Sequence, residues 1–131
     1  RLLTKEHLLK SEEKGKMVFY QIEPSSSIIR QFKVFRNIIS LNPLVKKLQS
    51  LTEKIILFGS CAEGTNAEDS DIDLLIISNQ KEDVNNMLNK FKSKHKIQLI
   101  IKSPQEYVSL EKKEPVFFSE LEKGTLLWQK V

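Results

Sequence analysis

The chain has 131 residues, of which 40% are hydrophobic and 29% are charged, and its formal net charge is +4. This length fits one small globular domain with an attachment, because a chain of this size can bury a modest single core. The single cysteine excludes an internal disulfide framework, and no hydrophobic run is long enough for a signal peptide or a membrane span. We therefore expect a cytoplasmic protein without a membrane partner.

Charge is distributed unevenly along the chain. Residues 1–53 contain ten Lys or Arg against five acidic residues, a net charge of +5, whereas residues 54–131 have a net charge of −1. This basic excess predicts a separate partner for the N-terminal part. The chain begins at Arg1 rather than at an initiator Met, so we expect a piece of a longer protein.

The first 42 residues predict a hairpin followed by a long helix. The pattern indicates the tail of a helix over 2–9, a charged turn over 12–16 and a strand over 17–22. Pro24 and the serines after it favour a helix start. Apolar residues at helical spacing extend this helix to Asn42-Pro43, and they are Ile28, Ile29, Phe32, Phe35, Ile38 and Ile39.

This order of elements resembles the wing half of a winged helix-turn-helix domain, although any hairpin followed by a helix gives the same pattern. We therefore predict a partial winged-helix segment at 1–42 and a second domain at 43–131. The resemblance implies DNA as a partner of the full-length winged helix.

Alternating strands and helices predict an α/β fold for residues 43–131. Ser103-Pro104 supplies an N-cap and a first helical residue, and Pro115 starts a further helix that ends at Gly124. The other predicted elements are, in chain order, a helix at 44–51, strands at 55–58 and 71–77, a helix from about residue 82, and a strand at 97–101.

Residues 58–75 hold the most informative pattern, in which Gly59-Ser60 is followed after ten residues by Asp71-x-Asp73. Residues at i and i+2 of a strand point to the same face, so the two carboxylates can close on one divalent cation. Oxygen ligands of this kind suit Mg²⁺. A glycine after an apolar strand lets backbone amides approach a phosphate. The pattern therefore predicts a phosphate-binding turn beside a metal site.

This pattern resembles that of the DNA polymerase β superfamily of nucleotidyltransferases, most closely the minimal nucleotidyltransferases, over about residues 53–130. The resemblance implies a polymerase β-type α/β fold, with a small mixed sheet flanked by helices. It implies that Gly59 and Ser60 bind the triphosphate of a nucleotide and that Asp71 and Asp73 are catalytic residues that bind Mg²⁺. Ser70, just before the first Asp, is a further candidate for nucleotide binding.

The activity that the resemblance implies is transfer of a nucleoside monophosphate, with AMP from ATP as the expected case, to a hydroxyl of a protein or small molecule. The spacing of the two motifs also resembles that of the antitoxins in two-gene toxin–antitoxin pairs. Those antitoxins adenylylate a helical HEPN-domain ribonuclease, so a HEPN-type partner is expected.

Two departures from the family pattern bear on activity. Cys61 and Glu63 stand where many relatives carry Arg, so cationic contacts to phosphate are expected to be weaker. Gln98 stands where the resemblance expects a third carboxylate, and a neutral amide can coordinate weakly but is no general base. Glu106 is the nearest acidic residue downstream of Gln98, and it is an alternative candidate for the missing third carboxylate. Two functions stay open: an active enzyme, or a catalytically weakened, nucleotide-binding and DNA-binding regulator.

Overall fold

The computed structural model describes residues 9–14, 17–22 and 26–131. Strands β1 (Leu9–Lys14) and β2 (Met17–Ile22) pair along their whole length as an antiparallel hairpin. The predicted strand at 17–22 is confirmed.

The charged turn predicted at 12–16 is wrong in its first part, because residues 12–14 pair with β2 and only two residues separate the strands. The helix tail predicted at 2–9 is wrong at Leu9, which lies in β1. The rest of that tail lies outside the described residues.

A single helix, α1 (Ser27–Leu48), replaces the two helices that were predicted on either side of Asn42-Pro43. Pro43 lies inside α1, where an interior proline costs about 3 kcal/mol. Burial of four aliphatic side chains, at about 1.5–3 kcal/mol each, outweighs that cost. These residues are Leu41, Leu44, Val45 and Leu48. The domain boundary predicted between residues 42 and 43 therefore falls inside a helix.

The first half of α1 carries an apolar stripe that does not belong to the core. Its residues follow the predicted helical spacing, but their side chains are exposed: Ile28, Phe32, Phe35 and Ile39. The polar residue Asn37 lies instead on the buried side, at the spacing that continues into Leu41, Leu44 and Leu48.

Four strands form a mixed sheet in the order β5-β4-β3-β6. They are β3 (Lys54–Phe58), β4 (Ile72–Ile77), β5 (Ile97–Lys102) and β6 (Thr125–Gln129). β3 pairs antiparallel with β4 and β6, whereas β4 and β5 are parallel. The three predicted strands are confirmed to within one or two residues, and β6 was not assigned from the sequence.

Helices pack on both faces of the sheet. After the 3₁₀ helix Gln49–Leu51, the helices are α2 (Ser60–Glu63), α3 (Lys81–Lys90), α4 (Pro104–Lys113) and α5 (Pro115–Glu122). One core forms among α1, α3 and one sheet face, and a second forms between α4, α5 and the other face. This arrangement confirms the predicted α/β fold with a small mixed sheet flanked by helices. Within residues 26–131, no helix is long and apolar enough to cross a membrane.

Candidate active site

The register of the strands brings the predicted site residues to one corner of the sheet. Phe58 at the end of β3 pairs with Asp73 of β4, and Asp73 pairs with Gln98 of β5. Gly59 follows Phe58, and Asp71 lies just before β4. The neighbours of the two acids, Ile72 and Leu74, are buried in the core while both acids are partly exposed. Asp71 and Asp73 therefore share one face, as the strand alternation predicts.

Gly59 lies in direct contact with the carboxyl group of Asp73. Its φ of 73° and ψ of −157° belong to a region that essentially only glycine adopts. A Cβ atom added to Gly59 would overlap Asp73 Oδ2 and would lie 3.3 Å from Cγ of the same carboxyl group. The sequence predicted this glycine for its approach to phosphate, and the structure adds that any side chain here would displace Asp73.

The two carboxylates interact unfavourably with each other in the absence of a cation. Partial burial, and then the negative charge of Asp71, raise the pKa of Asp73 above its usual value. A bound cation would remove this repulsion, and paired carboxylate oxygens are ligands that suit a hard divalent ion such as Mg²⁺. The donor set of this corner therefore fits the metal that the sequence predicts.

Gln98 of β5 faces the carboxylate pair, at the position where the family resemblance expects a third carboxylate. Its Nε2 donates a hydrogen bond to Asp71 Oδ2 at 2.7 Å. Across the part of the chain that the structure describes, no three His, Cys, Asp or Glu side chains form a group that could hold a metal ion. The candidate site thus has two carboxylates and one neutral amide.

Glu106, the alternative third acid, is engaged elsewhere. Its carboxylate accepts the N–H of Ser103 at 2.9 Å and its own N–H donates to Ser103 Oγ, which forms the capping box of α4. It also pairs with Lys81 Nζ at 3.0 Å. The pKa of Glu106 is lowered to about 2, most strongly by the hydrogen bond from the Ser103 backbone and next by the one from Lys81. The proposal that Glu106 supplies the third ligand is therefore wrong.

The loop that joins the Gly-Ser turn to the Asp pair is attached to α1. Asn37 Nδ2 donates to the carbonyl oxygen of Cys61 at 2.9 Å and to Asn66 Oδ1 at 3.2 Å, and Lys33 Nζ donates to the carbonyl oxygen of Asn66 at 3.1 Å. Sequence reasoning missed these contacts, since they join residues 24 to 33 positions apart. The one available indication was a polar residue, Asn37, on the buried side of α1.

Ser70 and Cys61 have structural contacts at the edges of the site. Ser70 Oγ accepts the N–H of Ala67 at 2.8 Å and so closes a turn just before Asp71. Cys61 is buried, and its Sγ donates to the carbonyl oxygen of Asp71 at 3.6 Å. Burial, with a further contribution from the charge of Asp73, raises the pKa of the Cys61 thiol, so it stays protonated and unreactive at neutral pH.

Comparisons with known proteins identify a family for most of the chain. Residues 41–131 match the family described as "Polymerase beta, Nucleotidyltransferase". None of the curated proteins matches the chain. The fold is similar to that of a candidate nucleotidyltransferase from Sulfolobus solfataricus, solved at 1.40 Å, with a TM-score of 0.54 and 19% sequence identity. The similarity covers 82% of this chain and 94% of that one, and at this identity it establishes the fold alone.

Proposed function

Because the chain belongs to the polymerase beta nucleotidyltransferase family, we propose that it transfers a nucleoside monophosphate, with AMP from ATP as the expected case, to a hydroxyl of a protein or small molecule. The observation that carries the proposal is the contact between Gly59 and Asp73, with Asp71 on the same face. It brings a turn suited to phosphate against two carboxylates suited to Mg²⁺.

The residues of the chain would act mainly by binding and orienting the nucleotide. Gly59 and Ser60 would hold the triphosphate through backbone amides and the serine hydroxyl, and Asp71 and Asp73 would hold Mg²⁺. The charge that such a cation would supply is the kind that stabilises the negative charge developing as pyrophosphate leaves. Phosphoryl chemistry of this kind needs positioning and charge stabilisation rather than a protein nucleophile, and the buried Cys61 thiol is accordingly not used.

Transfer of label from α-³²P-ATP to a candidate acceptor in the presence of Mg²⁺ tests this function. We expect labelled product with the wild-type chain and a loss of at least about 10²-fold for Asp73→Asn, since charge-stabilising contacts are typically worth that much in rate. Ser103→Ala, which alters the cap of α4 outside the site, is the matched control and should keep the activity. Equal labelling by wild type and Asp73→Asn would exclude this site as the source.

Three partner assignments belong to the proposal. The nucleotide is expected to be ATP, the protein acceptor to be of the HEPN type, and DNA to bind the full-length winged helix. The first rests on family membership and on the site, and the other two rest on resemblance and on the basic excess of residues 1–53. A cytoplasmic location is likewise expected.

The hydrogen bond from Gln98 to Asp71 supports a second candidate function. A site with a neutral amide instead of a third carboxylate lacks a group that could accept the proton of the acceptor hydroxyl. Such a protein would bind nucleotide without turnover and could regulate DNA binding in response to it. Mg²⁺-dependent binding of ATP without labelled product, together with duplex binding that changes with ATP, would favour this function over the enzyme.

A further inference from the structure

We propose that Gln98 is a positioning residue for Asp71 rather than a third metal ligand, and that the site therefore takes one divalent cation, which enters with the phosphates of the nucleotide. The inference rests on the proposed function. It concerns how many cations the site holds and what keeps Asp71 in place, neither of which follows from family membership.

The chemistry of the hydrogen bond fixes which end of the amide faces Asp71. An ionised carboxylate only accepts hydrogen bonds, so the group 2.7 Å from Asp71 Oδ2 is the NH₂ of Gln98 and not its oxygen. To coordinate a cation through its oxygen, Gln98 would have to give up this bond or turn away from Asp71. A ligand role therefore costs a charge-assisted hydrogen bond, whereas a positioning role keeps it.

Holding Asp71 in place does not prevent it from binding a metal. A carboxylate offers about four lone-pair sites, and the bond to Gln98 uses one of them. Residues that do not bind the metal themselves commonly donate hydrogen bonds to a carboxylate ligand. These bonds orient the carboxylate and change the affinity of the site for the metal. The amide hydrogen also offsets part of the repulsion between Asp71 and Asp73 while no cation is bound. Gln98 thus stabilises the metal-free site as well as the geometry of the loaded one.

The count of acidic ligands limits the number of cations. Mg²⁺ is usually held by one or two carboxylates together with substrate phosphates and water. A two-metal centre needs ligands for two ions about 3.5–4 Å apart. The described residues provide the Asp71–Asp73 pair and no third acidic side chain within the group. This set suits one cation when phosphate oxygens complete its shell, and it binds a free cation weakly.

Counting bound Mn²⁺ by the electron paramagnetic resonance of the free ion tests the stoichiometry. With the full chain and a non-hydrolysable α,β-methylene ATP analogue, we expect about one Mn²⁺ per chain and little binding of Mn²⁺ alone. Gln98→Glu replaces the NH₂ by a carboxylate oxygen at the same reach. This variant should bind a second Mn²⁺ in the presence of the analogue and should bind Mn²⁺ alone at least about tenfold more tightly.

A second variant and a spectroscopic readout separate positioning from coordination. Gln98→Met keeps the length of the side chain but has no donor, so it should still bind one Mn²⁺ with the analogue, at an affinity about 10–100-fold lower. In wild type, the ¹H and ¹⁵N chemical shifts of the labelled Gln98 side-chain NH₂ should stay those of a hydrogen-bonded amide when Mg²⁺ and the analogue are added. A change of these shifts to those of an amide without this hydrogen bond would identify Gln98 as a ligand and overturn the inference.

The outcomes also separate this inference from the proposed function. Two Mn²⁺ ions per wild-type chain would overturn the single-cation site while leaving nucleotidyl transfer intact. Absence of any binding of the analogue, with or without Mn²⁺, would overturn both. Gln98→Glu that binds no more Mn²⁺ than wild type, although it is folded by circular dichroism, would show that position 98 does not govern the number of cations.

Discussion

Two glycines with positive φ, at 59 and 64, flank the short helix α2, and only the first contacts a carboxylate. Ala at either position should destabilise the protein by at least about 1–2 kcal/mol, because the backbone disfavours a side chain there. Gly64→Ala would collide with the backbone of Arg30 in α1, and Gly59→Ala would collide with Asp73. Only Gly59→Ala should also abolish Mg²⁺-dependent binding of nucleotide, measured by calorimetry below the melting temperature of each variant.

Gly64→Ala is the control for this experiment, because it also places a side chain at a positive φ, at the other end of α2, but its collision is with Arg30 and not with Asp73. A parallel loss of nucleotide binding in the two variants would mean that general loosening of the loop, and not displacement of Asp73, is responsible. Retained binding in Gly59→Ala would contradict the role of the turn.

Asp73 is expected to lower the stability of the metal-free protein. Its pKa is raised on folding, so the folded state binds the proton more tightly than the unfolded state does. The stability that this proton provides is present below the ordinary Asp pKa of about 3.9 and is lost as the pH rises through the folded pKa. Asp73→Asn has no charge at this position and therefore does not lose this stability. In the presence of a chelator at neutral pH, the Tm of Asp73→Asn should exceed that of wild type by about 1–3 °C. The difference is small because solvent screens the charge of this partly exposed carboxylate.

Thermal melts of both proteins in EDTA, from about pH 3.5 to pH 7, check this prediction. The advantage of Asp73→Asn should shrink towards the acid end of the series. Addition of Mg²⁺ and ATP should reverse the order, since only wild type then gains stability from binding. A wild-type protein that is more stable than Asp73→Asn in EDTA at neutral pH would contradict the repulsion between the two acids.

The positions of the candidate site residues relative to one another could be predicted largely because their geometry is local. Two acids at i and i+2 of a strand share a face in any sheet, and a polar residue in an apolar strand marks an exposed position. The contacts of Gly59 with Asp73 and of Asn37 with the loop could not be predicted. They depend on how β3, β4 and α1 pack together, which no local pattern of the sequence encodes.

At the scale of the helices and strands, α1 offers a direct test of packing against local propensity. Pro43 has no N–H to donate within the helix, yet α1 continues through it because Leu41, Leu44 and Val45 are buried. Pro43→Ala should therefore stabilise the protein by about 1–2 kcal/mol, since the gain in helix propensity exceeds the added entropy of the unfolded chain.

Urea unfolding followed by circular dichroism measures this gain. Asn42→Ala is the matched control, because it changes the exposed neighbouring position and leaves the proline in place. A Pro43→Ala variant that is less stable than wild type would mean that the ring of Pro43 makes contacts which outweigh its effect on the helix.

The elements predicted correctly and incorrectly differ in what determines them. The start of α4 was predicted because Ser103, Pro104 and Glu106 form a self-contained cap. The end predicted at Asn42-Pro43 was wrong because burial of the next turns of α1 overrides the local preference of proline. β6 was not assigned, because its residues become a strand by pairing with β3, a partner far away in the sequence.

For the molecule as a whole, the uneven charge predicts nucleic-acid binding by the N-terminal part. This chain should bind duplex DNA weakly and without sequence preference. Because contacts to phosphate give an affinity that falls with salt concentration, its affinity should be at least about tenfold lower at 200 mM than at 50 mM salt. Fluorescence anisotropy with a labelled duplex measures it.

Two lysine triplets provide matched variants for the binding experiment. Substitution of Lys10, Lys14 and Lys16 by Gln should remove most of the binding, whereas substitution of Lys90, Lys92 and Lys94 by Gln should have a smaller effect at the same change in net charge. Equal effects of the two triplets would show that only the net charge matters. A full-length protein without any salt-dependent binding would leave residues 1–42 as a scaffold or a contact surface.

The pairing of β3 with β6 also has a consequence for the order in which the chain leaves the ribosome. Thirteen residues lie between Phe58 and Ile72, but sixty-six lie between Phe58 and Thr125, so one edge of the apolar strand β3 stays unpaired long after the other has formed. An apolar edge left open in this way can pair with other chains. A chain truncated before Thr125 should therefore aggregate, measured by light scattering, under conditions in which the intact chain stays monodisperse.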